Sequence, residues 1–411
     1  DKSISNLVFV PEHYLKQFHP KHVSKSSLEK KVKAAGFDTW TQLFAVEALP
    51  HLSGNRPGMA GWVPNGSTVS DRVFKIKRNP YFVGVDPAGN QLPYIDEIHF
   101  TFFADKETLN LAAVSGKIDF QGRHINMSTY PVLKENEGQS NYRVVTWPTF
   151  GGSDAVVMFN QTWQGPEGEF FRNKQFRIAL SHAIDRDGIK ELAFFGLGES
   201  RQGVPAPFHP YYPGDEYAFK YTQYDVSKAN KILDGIMPKK GSDGFRVMSN
   251  GKTLDIEIGV VPAFGAWTDI AQLIVENWAE IGVKAHVEVR ERTVHFAMRP
   301  ANELMAEVWN EDTTGFPFSG QPKFDPRSDP ALTFAPLVAK WYATGGKQGI
   351  APQPEIRRLV EIIDEAKTSS RNRQVALAKE LFSIWADNVW EIGTVGLTPM
   401  IQGVLVANKK L

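Results

Sequence analysis

The chain contains no cysteine, which excludes disulfides, thiolate nucleophiles and Cys-ligated zinc or iron–sulfur centres. It has no excess of charge of either sign: 46 Lys and Arg stand against 46 Asp and Glu, a formal net charge of zero. Without an electrostatic footprint for a polyanion, no nucleic-acid partner is expected. No uninterrupted apolar run approaches the ~18 residues of a membrane span. The opening Asp1-Lys2-Ser3-Ile4-Ser5-Asn6 does not read as a signal peptide. Internal repeats, low-complexity tracts and long like-charge blocks are also missing, so the whole chain reads as folded.

What is present is length and aromatic surface. At 411 residues the chain exceeds the size at which one core stops growing, and two or more lobes are expected. A unit of helix, glycine and strand recurs. Periodicity predicts a helix over 106–115, after Asp105 as N-cap, then Gly116 and an alternating strand over 117–120. A second helix over 268–281 carries the stripe Ile270, Ile274, Trp278 and Ile281, stops at Gly282, and precedes alternation over 283–289. Repetition of that unit points to α/β layering. Asn250-Gly251 between two extended runs predicts a type I′ hairpin. Further helices are predicted over 174–195, 355–367 and 371–387. One lobe junction is expected at 146–153, where Pro148, Gly151 and Gly152 interrupt a strand pattern that resumes at 155–159, and a second near 393–399.

Several motifs imitate chemistry and fail on spacing. Asn250-Gly251-Lys252-Thr253 resembles the end of a phosphate loop, but Arg246 stands where that loop needs glycine, and a strand follows instead of a helix. Asp185-Arg186-Asp187-Gly188 lacks the later ligands of a calcium loop and reads as a helix interruption. His19 and His22 flank Pro20 with no third ligand in view. No metal or cofactor is expected. Glu311 and Asp312 are adjacent acids and supply the alternative of a glycoside hydrolase-type enzyme, although such enzymes set their two carboxylates on opposite sides of the scissile bond.

Of the 10 Trp, 11 Tyr and 27 Phe, most must be core. Trp278 and Trp385 stand at helical spacing with aliphatics. Trp62, Trp147, Phe150, Phe264, Trp267 and Trp309 fall in loops or at strand ends, where flat rings can line a cleft and stack on sugars or extended peptides.

The run Arg78 to Asp96 is dense in turn residues, with Asn79-Pro80, Asp86-Pro87, Gly89-Asn90 and Leu92-Pro93, and its aromatics are expected to be buried. This run resembles one found in the extracytoplasmic solute-binding proteins of family 5, the peptide, nickel and oligosaccharide receptors of ATP-driven importers. Four further stretches resemble the same family in the same order: Asn173 to Arg186, Ala271 to Val289, Ala306 to Asp312, and Val389 to Gly396.

The resemblance implies an α/β, two-lobed fold of the periplasmic-binding-protein type II-like kind, with mixed sheets and a hinge between lobes. Residues 1–148 would belong to lobe one, 149–393 to lobe two, and 394–411 to a strand returning to lobe one. It implies a non-enzymatic substrate-binding receptor that closes on an oligopeptide, an oligosaccharide or an opine-like conjugate and delivers it to an ABC permease. The expected state is a monomer and the expected location periplasmic or extracytoplasmic. Ligand contacts are expected from Trp309, Asn310 and Asp312 in lobe two, with Phe264 and Trp267, and from Phe150 and Gly151 beside the hinge. Gly151 and Gly152 are the expected hinge positions. Family members carry a long segment ahead of the part matching Pro11 to Tyr14 and run on past the equivalent of Leu411, so part of the first lobe is expected outside this chain. The absence of a histidine cluster makes nickel the less attractive ligand.

Overall fold

The computed structural model describes residues 11–125, 127–149, 151–263, 265–311, 314–318, 323–327, 333–400 and 403–411. It divides into two units, Asp1–Asp105 and Lys106–Leu411.

In the first unit, the helices Lys25–Ala34 and Trp40–Glu47 pack through Leu28, Val32 and Leu43. Thr39 and Gln42 form a reciprocal capping box at the start of the second helix, satisfying two of its orphan amide donors. Strands β1 (Trp62–Pro64), β2 (Val73–Arg78) and β3 (Glu97–Thr101) form an antiparallel sheet in that order.

The run from Arg78 to Asp96 connects β2 to β3, and its aromatics are not buried: Tyr81 is 88% exposed and Tyr94 65%. Hydrogen bonds hold the loop in place of packing. The Asp86 carboxylate accepts from the amides of Ala88 (2.9 Å) and Asn90 (2.8 Å), from the Asn90 side chain (2.9 Å) and from the Tyr94 hydroxyl. Those donors, the Tyr94 hydroxyl first, hold Asp86 at a pKa of about 2. Asn79 ties the base of the loop down by donating to the carbonyls of Gly58 and Ala60 at 3.0 Å each.

The second unit is built on two sheets. The smaller contains β4 (Phe120–Gln121), β5 (Tyr142–Thr146) and β13 (Val404–Asn408) in the order β4-β13-β5. Its core is its own, made by Ala113, Leu133, Tyr142, Val404 and Val406 among others. The larger sheet has the order β11-β6-β10-β8-β9, with β6 at Ser153–Phe159, β8 at Asp255–Val260, β9 at Lys284–Val289, β10 at Ala306–Glu311 and β11 at Glu391–Gly393. β8 runs parallel to both β9 and β10, whereas β6 is antiparallel to β10 and β11. A short ribbon of β7 (Glu199–Ser200) and β12 (Val395–Gly396) lies beside it.

Alternation along β6 feeds two cores. Ala155, Val157 and Phe159 join the cluster with Phe176, Ile258, Ile274 and Trp278. Met158 faces the opposite cluster with Leu359, Leu381, Trp385 and Trp390. The sheet is therefore covered on both faces, as its near-continuous apolar strands require.

The structure revises three local expectations. Only the end of the alternating stretch, Phe120 with the following Gln121, forms a strand against β13, and the Asp119 carbonyl before it accepts from the Asn408 amide at 2.7 Å. The long helix expected over 174–195 is two, Lys174–His182 and Arg186–Phe194, and the interruption at Asp185 is real: its carboxylate accepts from the Gly188 amide at 3.0 Å and caps the second helix. The Asn250-Gly251 hairpin exists but is not type I′. Gly251 has φ +81° while Asn250 is not among the positive-φ residues, and Met248 pairs with Lys252, giving a three-residue loop that ends on a left-handed glycine.

Candidate functional site

Because β8, β9 and β10 are parallel and β6 is antiparallel to β10, the carboxyl ends of three strands meet the amino end of the fourth along one edge. Ligands of open α/β sheets bind outside such an edge, where the connecting loops diverge. Residues 151–152, 261–263 with 265–266, 290–292 and 309–311 all lie there. The chain crosses between the two sheets twice beside this edge, through 147–149 with 151–152 and through 394–400 with 403. The two crossings bond to each other, Thr149 N donating to Thr398 O at 3.0 Å and Trp147 N to Gly403 O at 2.7 Å.

Of the residues singled out from sequence, Gly151, Gly152, Trp267, Trp309 and Asn310 are brought together at this edge. Phe150, Phe264 and Asp312 lie outside the described residues.

Trp309 is half-buried on β10 and is the centre of an aromatic and cationic cluster. Its ring lies 4.7 Å from Trp267 and 5.4 Å from Phe296. The guanidinium groups of Arg292 and Arg299 sit 5.8 Å and 5.1 Å from its centroid. The helix Arg292–Ala301 presents Arg292, Phe296 and Arg299 on one face at spacings of four and three. Two residues before Trp309 on the same strand, Glu307 is buried and accepts from His295 Nε2 (2.8 Å), Arg299 Nε (2.9 Å) and Arg299 Nη2 (2.7 Å). Burial alone would push this carboxyl up; the charge of Arg299 and the bond from His295 overcome it and hold the pKa at about 2.

Trp267 does not stand in a loop. It is the first residue of the helix Trp267–Glu280, wholly buried, and its indole N–H is taken by the carbonyl of Asp154 at 2.9 Å. It supports Trp309 from beneath and offers no face to solvent. Asn310 is 3% exposed and its carbonyl accepts from Lys323 Nζ at 3.3 Å.

Glu311 is fully buried and ion-paired to Lys323, which also lies 3.4 Å from the buried Glu391. Burial pushes the Glu391 carboxyl up, against the nearby ammonium. Enclosed in this way, Glu311 presents no carboxylate oxygen to solvent.

Close packing by itself requires glycine at position 152. Its φ lies outside the left-handed region, but a Cβ there would press on the backbone of Gly203 and Val204, inside the 3.0 Å that real Cβ contacts respect. Gly396 is likewise held against the Gly152 carbonyl. The glycines let the two crossings and the 201–204 loop touch.

Next to this edge is a cavity of about 370 Å³, lined by Lys106, Glu107, Met127, Phe195, Pro262 and Asp269 among others. Within its lining Lys106 donates to the carbonyls of Pro262 (3.2 Å) and Ala263 (2.9 Å). Among the described residues no group of three His, Asp or Glu could hold a metal ion, and no helix is long and apolar enough to cross a membrane.

The profile of the bacterial extracellular solute-binding proteins, family 5, matches residues 62–331, well over half of the chain, and the chain belongs to that family. A curated relative, the periplasmic alpha-galactoside-binding protein of Rhizobium meliloti strain 1021, is 26% identical over 97% of this chain and 56% of its own length. Among solved structures, an oligopeptide-binding protein OppA is 31% identical with a TM-score of 0.73, over 97% of this chain and 65% of that one. The periplasmic binding protein MelB of Agrobacterium fabrum C58, solved with stachyose, shares 20% identity and a TM-score of 0.66, over 97% of this chain and 58% of that one. The chain thus spans little more than half the length of the curated relative. These relatives carry the mixed-sheet, two-lobed fold of periplasmic binding proteins.

Sequence reasoning missed Arg292, Phe296 and Arg299, whose shared helix face was there to be seen. It also missed Asp154, whose neighbours come from distant segments and leave no local signal.

Proposed function

We propose that this protein is the substrate-binding receptor of an ABC importer, working outside the cytoplasmic membrane. It would capture an oligosaccharide at the carboxyl edge of the large sheet and pass it on to a membrane permease without chemical change. In this reading residues 1–148 and 394–411 belong to one lobe, 149–393 to the other, and the paired crossings are the hinge. The observation that carries it is the cluster of Trp309, Phe296, Arg292 and Arg299 at that edge, in a chain of solute-binding family. A half-buried indole beside the exposed Arg292, which supplies hydrogen-bond donors, suits a sugar ring with its hydroxyls. The alpha-galactoside-binding relative, matched along 97% of this chain, favours the saccharide.

The second reading, an oligopeptide ligand, is favoured by the 31% identity to a protein named for oligopeptides. The same donors would serve peptide carbonyls. A thermal-shift screen with stachyose, raffinose and mixed oligopeptides separates the two: a true ligand at 100 times its Kd stabilises by about 2.7 kcal/mol. Stabilisation by saccharides alone supports the first reading, and by peptides alone the second. Progressive cleavage of any probe overturns the receptor.

A further inference from the structure

Asp154 lies beneath the aromatic cluster, apart from the side chains proposed to meet the solute. It is the second residue of β6, at the point where the first crossing enters the large sheet. It is 1% exposed, yet all three of its oxygens are engaged by separate parts of the chain. Oδ1 accepts from the Thr149 hydroxyl at 2.6 Å, on the first crossing. Oδ2 accepts from the Thr398 amide at 2.9 Å, on the second crossing. The backbone carbonyl accepts from the Trp267 indole at 2.9 Å, and Trp267 underlies Trp309.

We infer that Asp154 is a positioning residue that clamps the two crossings together and seats the Trp267–Trp309 pair, so that rearrangement at the crossings is transmitted to the aromatic cluster. The clamp is bistable by ordinary chemistry. As a carboxylate, Asp154 accepts from both threonines; as an acid, one oxygen becomes a donor, the acceptor strength toward the Thr398 amide falls, and the second crossing loosens. Arg201 is the charged group acting on this carboxyl, and its Nη2 is itself held by the carbonyls of Val204 and Pro205. Burial pushes Asp154 up to about 6 against the bonds from Thr149 and Thr398 and the charge of Arg201. The clamp depends on the sheet and its crossings, not on the identity of the solute.

The test is ligand-free. In the 15N-labelled protein, the Thr398 amide and the Trp267 indole N–H are followed by NMR from pH 4.5 to 8. Both resonances are expected to titrate together, with one midpoint near 6. Asp154→Asn should abolish both titrations. Thr149→Val, a milder change that removes one bond to the charged form, should raise both midpoints in step by about one to two pH units. A Thr398 amide that titrates while the Trp267 indole stays fixed, or midpoints that separate in Thr149→Val, would overturn the coupling. A failure of the saccharide screen would leave these resonances unaffected, so the two results are independent.

Discussion

Asp86 and Glu307 are carboxylates held near a pKa of 2 by opposite routes. Asp86 sits in a surface turn, where the Tyr94 hydroxyl and the Asn90 and Ala88 groups donate to it within eight residues of chain. Glu307 sits near the start of a buried strand, where desolvation opposes ionisation and a cation and an imidazole from a neighbouring helix must overcome it. One is local order exposed to water, the other tertiary order sealed from it. The difference shows two ways in which this protein holds a carboxylate ionised, one by local donors and one by tertiary partners.

The sharpest way to break the comparison is to remove each carboxylate. Glu307→Gln leaves Arg299 and His295 buried without their anion, and unfolding in urea should report a loss of about 3–5 kcal/mol. Asp86→Asn should leave the urea midpoint unchanged while speeding hydrogen exchange of the Ala88 and Asn90 amides. Equal effects from the two substitutions would refute the distinction.

Acid sharpens it further. Glu307 has a depressed pKa, so its stabilisation is present above its ordinary value near 4.5 and is lost as pH falls toward 2. Asp154 has a raised pKa, so its contribution is full below its ordinary 3.8 and is lost as pH rises through about 6. Between pH 4 and 7 the wild type should therefore lose about 2–2.5 kcal/mol relative to Asp154→Asn. Parallel stability curves for the two proteins would contradict the assignment.

Glycines offer a third contrast. Gly152→Ala meets fixed backbone and should cost about 1–3 kcal/mol. Gly89→Ala, in open space but at φ +85°, should cost about 1 kcal/mol through the left-handed backbone alone. Chemical denaturation of both variants checks the order, with Gly152→Ala the weaker protein.

The same contrast governs what the sequence disclosed. The helices at 267–280, 354–366 and 371–388 were legible from apolar spacing and end within one or two residues of expectation, because each buries one continuous stripe. The family was legible in its turn-rich run, whose residue types are dictated locally. The expectation that Tyr81 and Tyr94 would be buried failed because hydrogen bonds to Asp86 can order a loop without packing it. The gathering of Gly151, Trp267, Trp309 and Asn310 at one edge follows from strand direction. Asp154 was illegible: its partners stand at 149, 267 and 398, and only the folded sheet makes them neighbours. Gly152 was singled out as a hinge for its freedom, and the room it leaves for Gly203 was not legible, because Gly203 is a neighbour only in the folded chain.

The most direct test of the receptor account is a calorimetric titration of the wild type and of Arg292→Ala with stachyose and with mixed oligopeptides. The account predicts saturable binding of one of these classes without product release, weakened about tenfold when the exposed guanidinium beside Trp309 is removed. No saturable binding of either class, or equal affinity in Arg292→Ala, would contradict it.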